Sequence, residues 1–372
     1  SLFWHGHFAC RIDNIYFQQN LLNTIRQNAL GNFGVLLKEV SKSPSMLQFL
    51  NNQQNRKKHP NENFAREVME LFTMGRGNYT EKDIQESARA FTGWSYNPKG
   101  EFVFKENQHD DGSKTFLGKT GDFNGDDILT ILLEQKQTAR FITKKIFRFL
   151  VNEQPDEARI NQLAERFFKT GYDIKKLLED IFTSDWFFAE KNIGTKIKSP
   201  VELIAGLRRM LPMEMEDDGA QILIQRALGQ VLFNPPNVAG WPGGKTWIDS
   251  STLMLRLTIP RMLAADELFS LSPKSDDDTM MGNMKEERIA KRERNRFIKS
   301  GGTAKIDWTG VVGLFEKVSR ENLLASISNS LLQTKSRISA DVIENYLLKG
   351  SREEYIKSVY INYLSTPEYQ LC

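Results

Sequence analysis

An all-α fold with one short β-hairpin is what this sequence predicts, on three observations. Most segments repeat apolar residues at three- and four-residue spacing. Capping signatures punctuate them, above all Ser199-Pro200-Val201-Glu202, a capping box with Pro at the first helical position. The one clear β signal is Phe102-Val103-Phe104 and the turn-rich stretch that reaches Gly118, a hairpin near residues 101–118.

In order, Asn14 to Leu30 and Val35 to Leu50 read as amphipathic helices, joined by a polar, basic connector at 51–58 to a short one from Glu62 to Met74. Phe64, Val68, Leu71 and Phe72 form the apolar face of that short helix, and Gly75 stands where a C-cap belongs. Thr80 and Asp83 open the next helix, and the hairpin comes after it. Helices resume near Asp126 and continue through Thr138–Val151, Glu157–Lys169, Ile174–Phe182, the capped start at Ser199, and Gln221–Phe233. A Gly/Pro/Trp loop then leads to a helix from Ser251 that Pro260 should kink. Residues 272–302 change to Ser, Asp and Met and then to dense charge, before amphipathic helices return from Val311 to Leu364. These shifts predict a main helical domain over 1–270, a charged insertion over 271–308, and C-terminal helices over 309–372 packed back on the main domain.

Composition bounds the function classes. The 372 residues are 40% hydrophobic and 26% charged, which excludes wholesale disorder. Fifty Lys+Arg against 47 Asp+Glu leave +3, too weak a field to imply a nucleic-acid partner. No apolar run reaches the roughly 18 residues of a membrane span. Cys10 and Cys372 lie near opposite ends, so there is no disulfide framework. The opening Ser-Leu-Phe-Trp-His-Gly-His-Phe lacks an initiator Met and reads as a cut, so the chain is expected to be a fragment. Any export signal would lie upstream, which leaves the compartment, cytoplasm or periplasm, undetermined.

Four histidines carry the strongest chemical signal: His5, His7, His59 and His109 all fall in the first 109 residues. Imidazole binds transition metals and titrates near neutrality. His5, His7, His109 and the adjacent Asp110 therefore form a candidate set for a divalent metal cofactor. His5 and His7 share a face only in an extended segment, since on a helix they diverge by about 200°. The plainer reading is a packed aromatic–histidine cluster beside an Asp/Gly turn.

A second constellation is Glu62-Asn-Phe-Ala-Arg66-Glu67-Val-Met-Glu70. Arg66 stands four residues from both Glu62 and Glu70 and is expected to bridge them. Glu67 and Glu70 border the apolar face, where desolvation raises a carboxyl pKa toward general-base use. A hydrolase-like site would use Glu67 or Glu70 as base, Arg66 or Lys114 as anion partner, and His109 beside them. The competing reading is a structural ion-pair network. In the loop from Phe233 to Ser251, Trp241 and Trp247 are candidates for a stacking platform and Lys245 for an anion contact, against a rigid plug. That loop is not a phosphate-binding loop, because Ala239 stands where the first glycine is required. Asp122 to Asp127 lacks the sixth-position Gly and twelfth-position Glu of a calcium loop, and its acids read as a helix cap.

The chain resembles a bacterial family catalogued as domain of unknown function 1800. The pieces that carry the likeness are Phe-Trp-His-Gly-His-Phe at 3–8, Glu62 to Gly75, Asn78 to Asp83, Ala90 to Trp94, and His109-Asp110 with Lys114 to Gly118. Lys198-Ser-Pro200, Gly229-Gln230, Pro235 to Gly244 with Trp247, and Ser365 to Gln370 continue it. The resemblance implies a longer N-terminus, no particular reaction, and a neighbouring alkaline-phosphatase-like protein as candidate partner. Two function classes are open on the sequence: a hydrolase-like or ligand-processing protein, and a non-catalytic helical interaction or scaffold protein.

Overall fold

The computed structural model describes residues 1–215, 218–265 and 304–372. The protein is mainly helical, and among the described residues its strands form three two-stranded antiparallel sheets. Most of the predicted insertion, residues 271–303, lies outside the described residues. Among the described residues no helix is long and apolar enough to cross a membrane.

Local chemistry sets the boundaries that periodicity blurs. The run from Val35 to Leu50 is two helices, Phe33–Lys42 and Pro44–Phe49. Ser43 divides them with an extended backbone and a side chain that accepts from Met46 N, while Pro44 takes the first helical position, where no N–H is needed. Asp156 and Asp173 cap the helices Glu157–Lys169 and Ile174–Phe182. The helix Asp218–Leu228 stops short of the predicted Phe233, and the helix Ser250–Ala264 runs on through Pro260.

The single hairpin expected near 101–118 is two. Phe102–Phe104 pairs backward with Trp94–Tyr96, and Lys114–Phe116 pairs forward with Lys119–Gly121. The backward pairing results from the Asn97 turn, whose Oδ1 accepts from Lys99 N and Glu101 N. The forward one turns on Leu117 and Gly118, both at positive φ, the combination a tight two-residue hairpin loop requires.

The chain divides into two compact units. The first comprises Ser1–Ala189 with Phe233–Trp241, the second Glu190–Leu232 with Pro242–Cys372. The first is built on an aromatic core that includes Trp4, Phe8, Phe33, Phe64, Phe72 and Trp94. In the second, Leu203 and Leu207 of the helix Pro200–Met210 share a core with Ile259, Ile327, Val359 and Tyr363.

Candidate functional site

The N-terminal motif forms a helix, Leu2–His7, and this settles the direction of its two histidines. They diverge, as the i, i+2 spacing requires on a helix. His5 turns toward the loop 233–241, where Phe233 N–H donates to its Nε2 at 3.1 Å. The rings of Phe233 and Trp241 stand 5.1 and 5.3 Å from its ring. An accepting Nε2 places the proton on Nδ1. Burial pushes the pKa of His5 down to about 4, so it is neutral at pH 7.

His7 points the other way, among Phe3, Phe8, Phe33 and Phe72. Its Nε2 lies 3.2 Å from the Phe72 carbonyl and must donate, so the two histidines carry their protons on opposite nitrogens. The buried Nδ1 of His7 has no hydrogen-bond partner. Burial, reinforced by the nearby Lys145 ammonium, holds its pKa well below the ordinary value, while the Phe72 contact acts in the opposite direction. Burial pushes Lys145 itself down to about 8, and its Nζ lies 5.4 Å from the Phe141 ring centre.

The loop reaches this helix at some conformational cost. Phe233 has φ 65°, a left-handed conformation rare for a bulky residue, and the residue is 47% exposed. Gly240 has φ 83°, and a Cβ there would sit 2.5 Å from the Gly6 carbonyl oxygen, so only glycine permits this approach. Two motifs far apart in sequence, Phe-Trp-His-Gly-His and Pro-Asn-Val-Ala-Gly-Trp, thus form one seam with His5 at its centre.

The acidic helix departs from the predicted pairing. Glu62–Glu67 is α-helical, but Val68–Thr73 is a π turn, with Met74 N–H donating to Met69 O at 2.9 Å. The wider turn rotates the later residues about the helix axis, so Glu70 no longer sits one α turn above Arg66. Arg66 instead grips Glu81 through Nη1 at 2.9 Å and Nη2 at 2.8 Å, with Glu62 at 3.2 Å. Glu70 accepts from Arg76 Nη2 at 2.7 Å and Nε at 3.1 Å, and from the Tyr79 hydroxyl at 3.0 Å. The expected Arg66 bridge from Glu62 to Glu70 therefore runs from Glu62 to Glu81. Glu67 makes no hydrogen bond or ion pair among the described residues, and burial and then Glu70 raise its pKa.

Around His109 every predicted group is engaged. His109 Nδ1 lies 2.9 Å from Thr92 O and 3.2 Å from Thr92 Oγ1. Asp110 meets Arg89 Nε at 2.8 Å and Nη2 at 3.1 Å, and Arg89 foremost holds its carboxyl below the usual range. Arg89 Nη1 also takes both oxygens of Glu86 at 3.1 Å. Lys114, expected to bind an anion, is buried and donates to the carbonyls of Asp110 at 2.5 Å and Gly112 at 2.9 Å. The ammonium ties the turn's own backbone together.

The predicted ligand set does not converge. Among the described residues no group of three or more His, Cys, Asp or Glu side chains is placed to hold a metal ion. The tryptophans part as well: Trp241 lies against His5 in the first unit, whereas Trp247 is buried in the second. An open stacking platform does not suit a buried Trp247, and Lys245 is exposed.

Sequence reasoning passed over Lys145, Phe233, Glu81, Arg76 and Tyr79, and also Arg256 in the second unit. Arg256 is 0% exposed, donates through Nη1 to Lys198 O at 2.9 Å, and has its pKa pushed down to about 10 by burial. Its signal was in the periodicity, because Thr252, Arg256, Ile259, Pro260 and Leu263 fall on one buried helical stripe.

The fold and site define a mainly helical protein whose motif residues are largely bound to one another. The chain belongs to the family described as Protein of unknown function (DUF1800), whose family model matches residues 1–371. No curated protein and no solved structure matches it.

Proposed function

We propose that this protein is a non-catalytic helical interaction protein. One observation carries the reading: of the polar side chains nominated for chemistry, Arg66, Glu70, His109, Asp110 and Lys114 all have partners within the fold. His109 and Lys114 hold backbone carbonyls, and ion pairs occupy the charged groups of Arg66, Glu70 and Asp110 that a substrate would need. The seam around His5 supplies a docking feature, since the strained, half-exposed Phe233 is presented beside Trp241. The alkaline-phosphatase-like neighbour implied by the family resemblance is the partner to try first. In a sedimentation titration with that protein, the parent chain is expected to form a complex and Phe233→Ser to weaken it at least about tenfold, the usual scale for losing an aromatic anchor. No complex with the parent refutes the interaction, and equal binding by parent and variant refutes Phe233 as its docking point.

Glu67 favours the second reading, a hydrolase-like site with Glu67 as general base. It is half-buried, lacks a hydrogen-bond partner among the described residues, and has a raised pKa. Turnover of an ester or phosphoester by the purified protein, abolished by Glu67→Gln, would establish this reading and displace the first. A divalent metal has no three-residue donor set among the described residues to support it.

A further inference from the structure

We infer that the turn at 56–59 in the first unit is a rigid cationic docking point for an acidic segment of a partner protein, whose Asp and Glu carboxylates it pairs. The inference does not require the Phe233 seam. Residues 40–61 hold no carboxylate, and Arg56, Lys57 and Lys58 follow one another near the end of that stretch. All three are exposed, as is His59. Lys105 lies beside the base of the turn: its N–H donates to Gly93 O at 2.8 Å, and Gly93 N–H donates to Asn55 O at 3.1 Å. Through their side chains these four cations make no hydrogen bond or ion pair among the described residues. Elsewhere in the unit Lys42, Arg66, Arg76 and Arg89 each meet a carboxylate. Glu62, next along the chain, pairs with Arg66, and Glu106 is the one carboxylate beside Lys105. The balance here is strongly positive.

The backbone holds these charges on a fixed support. His59 N–H donates to Arg56 O at 3.1 Å, which closes a tight turn, and Lys57 N–H donates to Gln108 O at 2.8 Å. The buried Asn55 clamps the base, accepting from Asn61 N–H at 2.9 Å and donating to Ala88 O at 2.8 Å. Lys58 is third in the turn and has φ 73°, a position that favours glycine. The fold thus holds a lysine where its backbone is disfavoured and where its ammonium meets no group inside the molecule. Charges fixed in this way leave little ordering for binding to impose.

The same bonds select the partner's chemistry. A phosphate cradle gathers converging backbone N–H groups, and here those of Lys57, His59 and Asn61 are all bonded within the fold. Recognition is left to separate side-chain charges, three ammonium groups and one guanidinium, which suit single carboxylates spaced along a chain. A nucleic acid would call for a longer track of cations, and the whole chain carries only +3.

The test is fluorescence anisotropy of a labelled octaglutamate peptide titrated with the full chain at low ionic strength, where surface charges are least screened. The parent should bind saturably, and added salt should weaken the complex. Arg56→Gln, Lys57→Gln and Lys58→Gln combined should weaken it at least about tenfold. The same loss of charge in the second unit, by Lys317→Gln, Lys335→Gln and Lys349→Gln at exposed positions, should change it less than about twofold. Lys58→Gly removes one charge while relieving the backbone, so it should bind about two- to fivefold more weakly with no loss of melting temperature. Should the triple variant at the turn not fold, Lys58→Gly decides, and unchanged binding by it overturns the proposal. Phe233→Ser should bind the peptide like the parent; a loss there assigns the peptide to the seam and overturns the turn as its site. No saturable binding by the parent, or equal weakening by the two triple variants, overturns the docking point. Tighter binding to phosphatidylserine vesicles or to an oligonucleotide of equal charge overturns the assignment to an acidic protein segment.

Discussion

Acidification should destabilise this protein through His5, by an amount the seam determines. Buried against Phe233 and Trp241, and accepting from Phe233 N–H, the ring can take a second proton only by giving up that hydrogen bond. Its pKa falls from 6.5 in the unfolded chain to about 4 in the folded one. The unfolded state therefore binds a proton that the folded state refuses between those values. Stability from this group is full above pH 6.5 and is lost as pH falls toward 4. At about 1.36 kcal/mol per pH unit, the loss reaches about 2 kcal/mol by pH 5 and about 3 kcal/mol by pH 4. The assay compares urea unfolding of the parent with His5→Gln at pH 7, 5 and 4. Glutamine retains an acceptor for Phe233 N–H but does not titrate. His7 and the carboxyl groups are present in both proteins and largely cancel in the difference. The parent's advantage over the variant should shrink by about 3 kcal/mol between pH 7 and pH 4. An advantage that stays constant across this range refutes the assigned environment of His5.

Other perturbations test the remaining contacts. Gly240→Ala forces a Cβ against the Gly6 carbonyl at positive φ and should cost about 1–3 kcal/mol by urea unfolding. Glu70→Gln should cost only about 1 kcal/mol, because Arg66 has other partners and Arg76 is 84% exposed; a loss of 3 kcal/mol or more would restore a buried ion pair there. Arg89→Met strands Asp110 and Glu86 and should cost about 2 kcal/mol at pH 7. The Asp110 part of that cost, from a depressed carboxyl pKa, is present above pH 3.8 and fades as pH falls below it, which acid unfolding of the variant can check. Glu67→Gln should stabilise the protein slightly at pH 7, since the folded state disfavours this charge and its penalty grows as pH rises above 4.5; a lower melting temperature contradicts this.

Helices were legible where caps and periodicity agreed, as at Thr80, Ser199 and Glu157–Lys169. What escaped was set by contacts distant in sequence or by local departures from α geometry. The i, i+4 rule assigned Glu70 to Arg66, and a π turn between Val68 and Thr73 removed its premise. Glu81, fifteen residues on, became the partner through tertiary packing that no spacing rule contains. Tyr96 and Phe102 were paired by an Asn97–Gly100 turn visible in the sequence, but three-residue strands are too short for alternation to register. Lys145 borders the buried face of its helix beside Ile142 and Ile146, where charge is easily taken for a solvated edge. The joining of the His5 motif to the loop at 233–241 was the least legible feature, because neither segment encodes its distance from the other.

That joining bears on how the protein is made. The helix Leu2–His7 leaves the ribosome well before Phe233, which fills the acceptor site of His5 from 228 residues further along the chain. At synthesis rates of roughly 5–20 residues per second, about 10–50 s separate the two. Throughout that interval His5 lacks its partners, while Phe3, Trp4 and His7 of the same helix already have theirs in Phe149, Phe8 and Phe33. The first unit, Ser1–Ala189 with Phe233–Trp241, is therefore complete only after residue 241 has been made.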